Sequence, residues 1–177
     1  MQGTYKTALR RSAKTDGVHP YDTLTQTAPD PQTVLEHAPV RFDTKVAVVL
    51  RDDLLPWQEL NVTAFLMSGI ATSAPDLVGE AYRDRDGTAY LPMLRQPVVV
   101  LTAAADVLAA ARTRALGRGV PLVVYTRDLF STGHDAANRA AVAVAAVAGD
   151  DLDLVGIALR GPRNAVDKVV KGARMHP

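Results

Sequence analysis

Four short, predominantly apolar runs constrain this chain more than any other feature: residues 46–50 (VAVVL), 98–101 (VVVL), 121–126 (PLVVYT) and 152–159 (LDLVGIAL). Each has the length of a strand, and none alternates cleanly between apolar and polar. A run of that kind suits a strand buried on both faces, so helices must cover both sides of the sheet. The stretches between the runs carry helical spacing. Strands alternating with helices in this way predict an α/β fold, a three-layer α/β/α sandwich around a mostly parallel, mixed sheet of about four strands.

Pro56 is placed to start the first helix, where its missing N–H costs nothing. Trp57, Leu60, Ala64 and Met67 recur at helical spacing and are expected to face inward, with Val62, Phe65, Leu66 and Ile70 widening the stripe. A second helix is expected over 103–116, with Val107, Leu108, Ala111 and Leu116 inside, Arg112, Arg114 and Arg118 outside, and Gly117 and Gly119 ending it. A third, rich in Ala and Val, follows the polar loop 126–138 and stops at Gly149; a last one begins at Gly161-Pro162 and ends at Gly172. Residues 80–92 read as a hairpin turning at Asp86-Gly87, with Tyr82 and Tyr90 on its arms. The hairpin and the short tail are candidates for antiparallel edges.

Residues 1–44 differ from the rest, with five basic and five acidic residues, several Thr and Pro, and little periodicity. They are expected to form an N-terminal arm beside a domain at 45–177, with a short capped helix over 32–38 between Asp30-Pro31 and Pro39. Two readings stay open: an arm lying on its own domain, or one reaching a second subunit in a homo-oligomer. The formal net charge of +1 gives no global field to draw in nucleic acid or a membrane surface. The absence of cysteine excludes disulfides and Cys-ligated metal and agrees with a cytoplasmic location. The N-terminus lacks the apolar stretch of a secretory signal, and no run approaches the ~20 residues of a membrane span. No metal motif is present and no cofactor is expected.

In open α/β sheets ligands bind beyond the carboxyl ends of the strands. The first candidate region there is Arg51, Asp52, Asp53, Trp57, Gln58 and Asn61. Asp52 beside an Arg suits proton transfer; alternatively Asp53 caps the helix, Asp52 pairs with Arg51, and Trp57 is core. Gln58 and Asn61 stand i, i+3 on the first turn, close to the strand end. The second region is 126–138, where Ser131, Thr132, His134 and Asp135 have the residue types of a nucleophile, base and orienter. Thr132 and Asp135 also have the spacing of a capping box, which leaves His134 and Asn138 to face a ligand at a helix N-terminus suited to anions. The third is the basic tail, Arg160, Arg163, Lys168, Lys171 and Arg174 against the single acid Asp167. It is either a polyanion footprint or a solvated face with an Asp167–Lys171 pair.

The order KVAVVLRDDL, RQPVVVL, PLVVYTRD and LVGIALRGPRNAVDKVVKG, each but the last followed by a helix, resembles the peptidyl-tRNA hydrolase II fold over residues 45–177. PWQELNVTAFLMSGIA, AYRDRDGTAYLPMLRQP and FSTGHDAAN are similar to an uncharacterised bacterial family sharing that fold. The resemblance implies a scaffold used elsewhere to cleave the ester of peptidyl-tRNA. Such hydrolases carry a Lys-rich turn at the first helix, where this chain has Trp57-Gln58-Glu59-Leu60 and no Lys between Lys45 and Lys168. Losing that cation removes charge stabilisation, which implies an altered site. The resulting expectation is a small anionic ligand held by Gln58, Asn61, Arg127, Thr132 and Asn138, with Asp52 and His134 as catalytic candidates. The alternatives are a hydrolase of peptidyl- or aminoacyl-tRNA esters that grips acylated tRNA with its basic tail, and a structural protein that builds an oligomer. The first two rest on one geometric expectation: the first and third strands end side by side, so that Asn61 and His134 face a common hollow.

Overall fold

The computed structural model describes residues 40–145 and 152–177. The chain divides into two units, Met1–Glu36 and His37–Pro177, and all described residues belong to the second. The helix expected over 32–38 and the stop expected at Gly149 lie outside them.

The elements follow in the order β1 (Thr44–Arg51), α1 (Pro56–Ser73), β2 (Tyr82–Arg83), β3 (Ala89–Tyr90), β4 (Val98–Ala103), α2 (Ala105–Gly117), β5 (Leu122–Thr126), α3 (Asp135–Ala145), β6 (Leu154–Pro162), α4 (Arg163–Val169) and β7 (Arg174–Met175). Short 3-10 turns fill Pro75–Leu77 and Arg127–Ser131. The five-stranded sheet has the order β5-β6-β1-β4-β7, and β2 and β3 pair separately as the expected hairpin. β1 lies at its centre, and its alternate residues divide between two cores. Val46, Val48 and Leu50 pack with Val62, Leu66 and Ile70 of α1, while Ala47 and Val49 pack with Leu108 and Ala111 of α2 and Val166 and Val169 of α4. That division makes the three layers, as continuous apolar runs require.

The sheet is mixed, with β1, β4 and β5 running one way and β6 and β7 the other. β6 enters between β1 and β5, antiparallel to both, so the first and third apolar runs are not neighbours. The tail adds β7 as an antiparallel edge on β4.

Two helix faces depart from expectation. On α1 the buried residues are Val62, Leu66 and Ile70, whereas Trp57 is 57% exposed and Leu60 74% exposed. This helix is apolar round most of its circumference, so spacing alone does not choose the buried side. Close approach to glycine does. A Cβ at Gly156 of β6 would lie 2.5 Å from Val62 Cγ1 and 3.0 Å from Leu66 Cδ1, and one at Gly69 would lie 2.7 Å from Val123 Cγ2 of β5. Gly156 thus admits α1 against the sheet. Because Val62 and Leu66 are fully buried and cannot retreat, Gly156→Ala is expected to cost about 1–3 kcal/mol of overpacking; an unchanged urea midpoint would contradict it. On α2, Ala115 rather than Leu116 is buried. Arg114 is also not simply outward: its Nε donates to the Val169 carbonyl (2.9 Å) and its Nη2 to the Lys171 carbonyl (2.9 Å), closing the C-terminus of α4.

Candidate functional site

The carboxyl ends of β1 and β5 and the start of β6 converge on four alternating charges. Arg51 binds Asp53 with both Nε (2.8 Å) and Nη2 (2.9 Å), and its Nη1 reaches Asp153 and the Leu154 carbonyl (3.2 Å). Arg127 completes the ring, donating from Nε to Asp153 (3.1 Å) and from Nη2 to Asp53 (3.0 Å). Arg51 is the enclosed member, with its side chain 13% exposed. The hydrogen bond from Arg51 is the main reason that the Asp53 carboxyl is held below the usual carboxylate range, and reciprocally the Arg51 guanidinium is raised. A carboxyl depressed in the folded chain stabilises it fully above the ordinary Asp value of about 3.9, and that contribution is lost as pH falls through the folded value. Acid unfolding should therefore begin at lower pH in the parent chain than in an Arg51→Gln variant, where Asp53 loses its main charged donor and keeps only Arg127; coincident acid transitions would contradict this.

This ring takes up side chains expected to hold a ligand. Arg127 is one of its members, and Asp53 serves here rather than as a helix cap. Asp52 does not pair with Arg51; it lies 3.4 Å from Arg174 Nη2. The start of α1 is closed instead by Gln58, whose Oε1 accepts from the Leu55 N–H (2.9 Å). In the second region the expected capping box does not form. His134 supplies the cap, its Nδ1 accepting from the Ala137 N–H (3.3 Å), while Asp135 pairs with Arg139. Thr132 donates to the Leu129 carbonyl (2.9 Å) and is hydrogen-bonded to Asn138. The tail does not form the Asp167–Lys171 pair: α4 ends before Lys171, and Asp167 pairs with Lys45. Arg160 is bound by Asp76 and Arg174 by Asp52. Among the described residues no hydrogen bond or ion pair joins Asp52 to His134, and no group of three or more His, Asp or Glu side chains is placed to hold a metal ion. No described helix is long and apolar enough to cross a membrane.

A hollow does open nearby, between α1, the outer edge of β5 and α3. This cavity of about 480 Å³ is walled by Phe65 and Leu66, by Val123, Val124 and Tyr125, by Leu129, and by Asp135, Asn138, Arg139, Val142 and Ala143 of α3. Val123 packs against the core on the α1 side and Val124 against the opposite core, yet both line the cavity, which therefore wraps the edge of β5 that no other described strand pairs with. Tyr125 joins this hollow to α1. Its hydroxyl donates to Asn61 Oδ1 (3.2 Å), and burial pushes its pKa upward, so it stays a neutral donor. Phe65, Tyr125, Phe130 and Trp57 form an aromatic chain with successive ring centres 5.9, 5.2 and 5.6 Å apart.

Of the residues expected to meet a ligand, Asn138 lines the cavity and Asn61 touches its Tyr125. Gln58 and Thr132 are held in local contacts, Arg127 is held in the ring by Asp53 and Asp153, and exposed His134 is used by its own helix. The cavity's apolar wall carries no signal of its own in the sequence: Val123 and Tyr125 lie inside a strand-like run, and Val142 inside a helix rich in Ala and Val. Tyr125 carried the one available signal, a hydroxyl at the end of an otherwise aliphatic strand that needs a partner when buried.

An α/β sandwich with a mixed five-stranded sheet and a cavity beside its β5 edge is thus the class of domain in hand. The pattern of a family described as "Protein of unknown function (DUF2000)" matches residues 44–177, and the chain belongs to that family. It is similar to a solved protein of unknown function from Agrobacterium tumefaciens, with 47% identity and a TM-score of 0.75, over 77% of this chain and 100% of that one. A comparison with curated proteins gave no significant match.

Proposed function

We propose that this domain binds a small ligand with an apolar body and an anionic end in the cavity between α1 and α3, on a peptidyl-tRNA hydrolase II-like scaffold whose site has been altered. The carrying observation is the composition of the wall: mostly aliphatic and aromatic side chains, with Asp135, Asn138, Arg139 and the Tyr125 hydroxyl as the polar minority. Its volume falls within the few hundred Å³ usual for small-molecule sites. Arg139 is the wall's cation, and Asp135 beside it is the wall's one carboxylate. Its pair with Asp135 is a solvent-exposed i, i+4 contact of little energy, so an entering carboxylate competes for it at small cost. Asp52 and His134, the candidates for proton transfer, each serve a structural contact, which supports binding over ester cleavage.

Trp57 is the only tryptophan, and the aromatic chain couples it to the cavity, so its emission reports occupancy. Titration with hexanoate, octanoate, decanoate and decanol tests the reading. Each added methylene should tighten binding about fourfold until the cavity is full, and decanol should bind less tightly than decanoate. Absence of any emission change across the series, or affinity independent of chain length, would sink the reading.

A further inference from the structure

We propose that residues 78–95 are a pairing arm through which two copies of this chain associate about a two-fold axis. The arm is a β-ribbon with a defined stem: Arg95 N–H donates to the Leu77 carbonyl (2.9 Å), Gly79 N–H donates to the Met93 carbonyl (2.9 Å), and Val78 bridges Leu94. Beyond the stem Tyr82 stands opposite Tyr90 and Arg83 opposite Ala89. Asp84 fixes the tip. Its Oδ1 accepts from the N–H groups of Asp86 (3.0 Å) and Thr88 (2.9 Å), and its Oδ2 accepts from the Tyr90 hydroxyl (2.8 Å). Gly87, at φ +85°, takes the left-handed turn position.

A lone two-stranded ribbon is marginally stable in water, and this one carries large apolar groups outward. Tyr82 and Tyr90 are exposed, Leu91 is 70% exposed and Met93 62% exposed. A preorganised ribbon with such a surface fits a protein partner, and its charges identify which one. Glu80 and Arg95 sit at the base, Arg85 and Asp86 at the tip, and the arm carries three acids and three bases in all. Among the described residues the side chains of Glu80, Arg85 and Asp86 make no ion pair. Laid antiparallel, two identical arms bring base to tip, so that Glu80 meets the Arg85 of a second copy and Arg95 meets its Asp86, each pair occurring twice. A two-fold contact requires a surface complementary to itself, and this order of charges is self-complementary.

Sedimentation equilibrium of the full chain tests the proposal, with circular dichroism to confirm that each variant is folded. The parent should be a dimer. Leu91→Ser with Met93→Ser should weaken association at least about tenfold. Glu80→Arg and Arg85→Glu should each weaken it, and the two together should recover most of the loss, because the reversed charges again meet. A parent that is monomeric at every concentration, a dimer that the Leu91 and Met93 changes leave intact, or a double reversal that recovers nothing would each overturn it.

Discussion

Arg51→Ala is expected to cost the domain about 2 kcal/mol in urea unfolding at neutral pH, one of the largest effects of any single change near the strand ends. The side chain is mostly enclosed and satisfies Asp53, Asp153 and the Leu154 carbonyl at once. Its loss leaves two carboxylates beside each other with Arg127 as their shared cation. Hydrogen bonds to charged groups contribute about 1.5–3 kcal/mol each, and removing one partner of a fully buried pair costs about 3–5. Asp53 and Asp153 are about half exposed, so solvent screens part of that loss and the lower figure is the appropriate one. Arg51→Lys should recover only part of the stability, because an ammonium cannot reproduce the two-pronged contact with Asp53. A midpoint shift worth less than about 0.5 kcal/mol, the usual scatter of surface changes, would show that the ring does not tie β1, β5 and β6 together.

Val142→Trp is expected to weaken decanoate binding about 100-fold, or about 2.7 kcal/mol, while leaving the urea midpoint unchanged or raised. Val142 lies on the α3 wall of the cavity and is only half-buried, so a larger side chain enters existing space rather than displacing core. An overpacked core residue would instead lose stability. The two readouts separate the cases: retained affinity places the ligand elsewhere, and a large loss of stability means that α3 is already closed onto β5.

The sandwich was legible because β1, β4, β5 and β6 are continuous apolar runs, and burial on both faces leaves few other arrangements. Hairpin geometry was equally plain, since Asp86-Gly87 supplies the turn and the two tyrosines mark opposing positions. Three features were not readable. The insertion of β6 between β1 and β5 depends on a choice of strand order that apolar runs do not encode. The buried face of α1 depends on Gly156 and Gly69, whose missing side chains say nothing about orientation until two elements are already apposed. The strand-end charges looked available because each has several candidate partners along the chain; only the fold brings Asp153 to Arg51 and Arg127. The same holds for the cavity: Val123, Val124 and Val142 are ordinary core residues by type, and what sets them apart is that β5 is an edge strand with α3 standing beside it.

The most direct test of a ligand site on the β5 edge is amide and methyl chemical-shift mapping of the isotope-labelled chain during a decanoate titration. Saturable shifts are expected on Phe65, Val123, Tyr125, Asn138 and Val142, with Asp52 and Arg174 unmoved. Shifts confined to the Asp52 end of the sheet, or none that saturate, would contradict a binding site between α1 and α3.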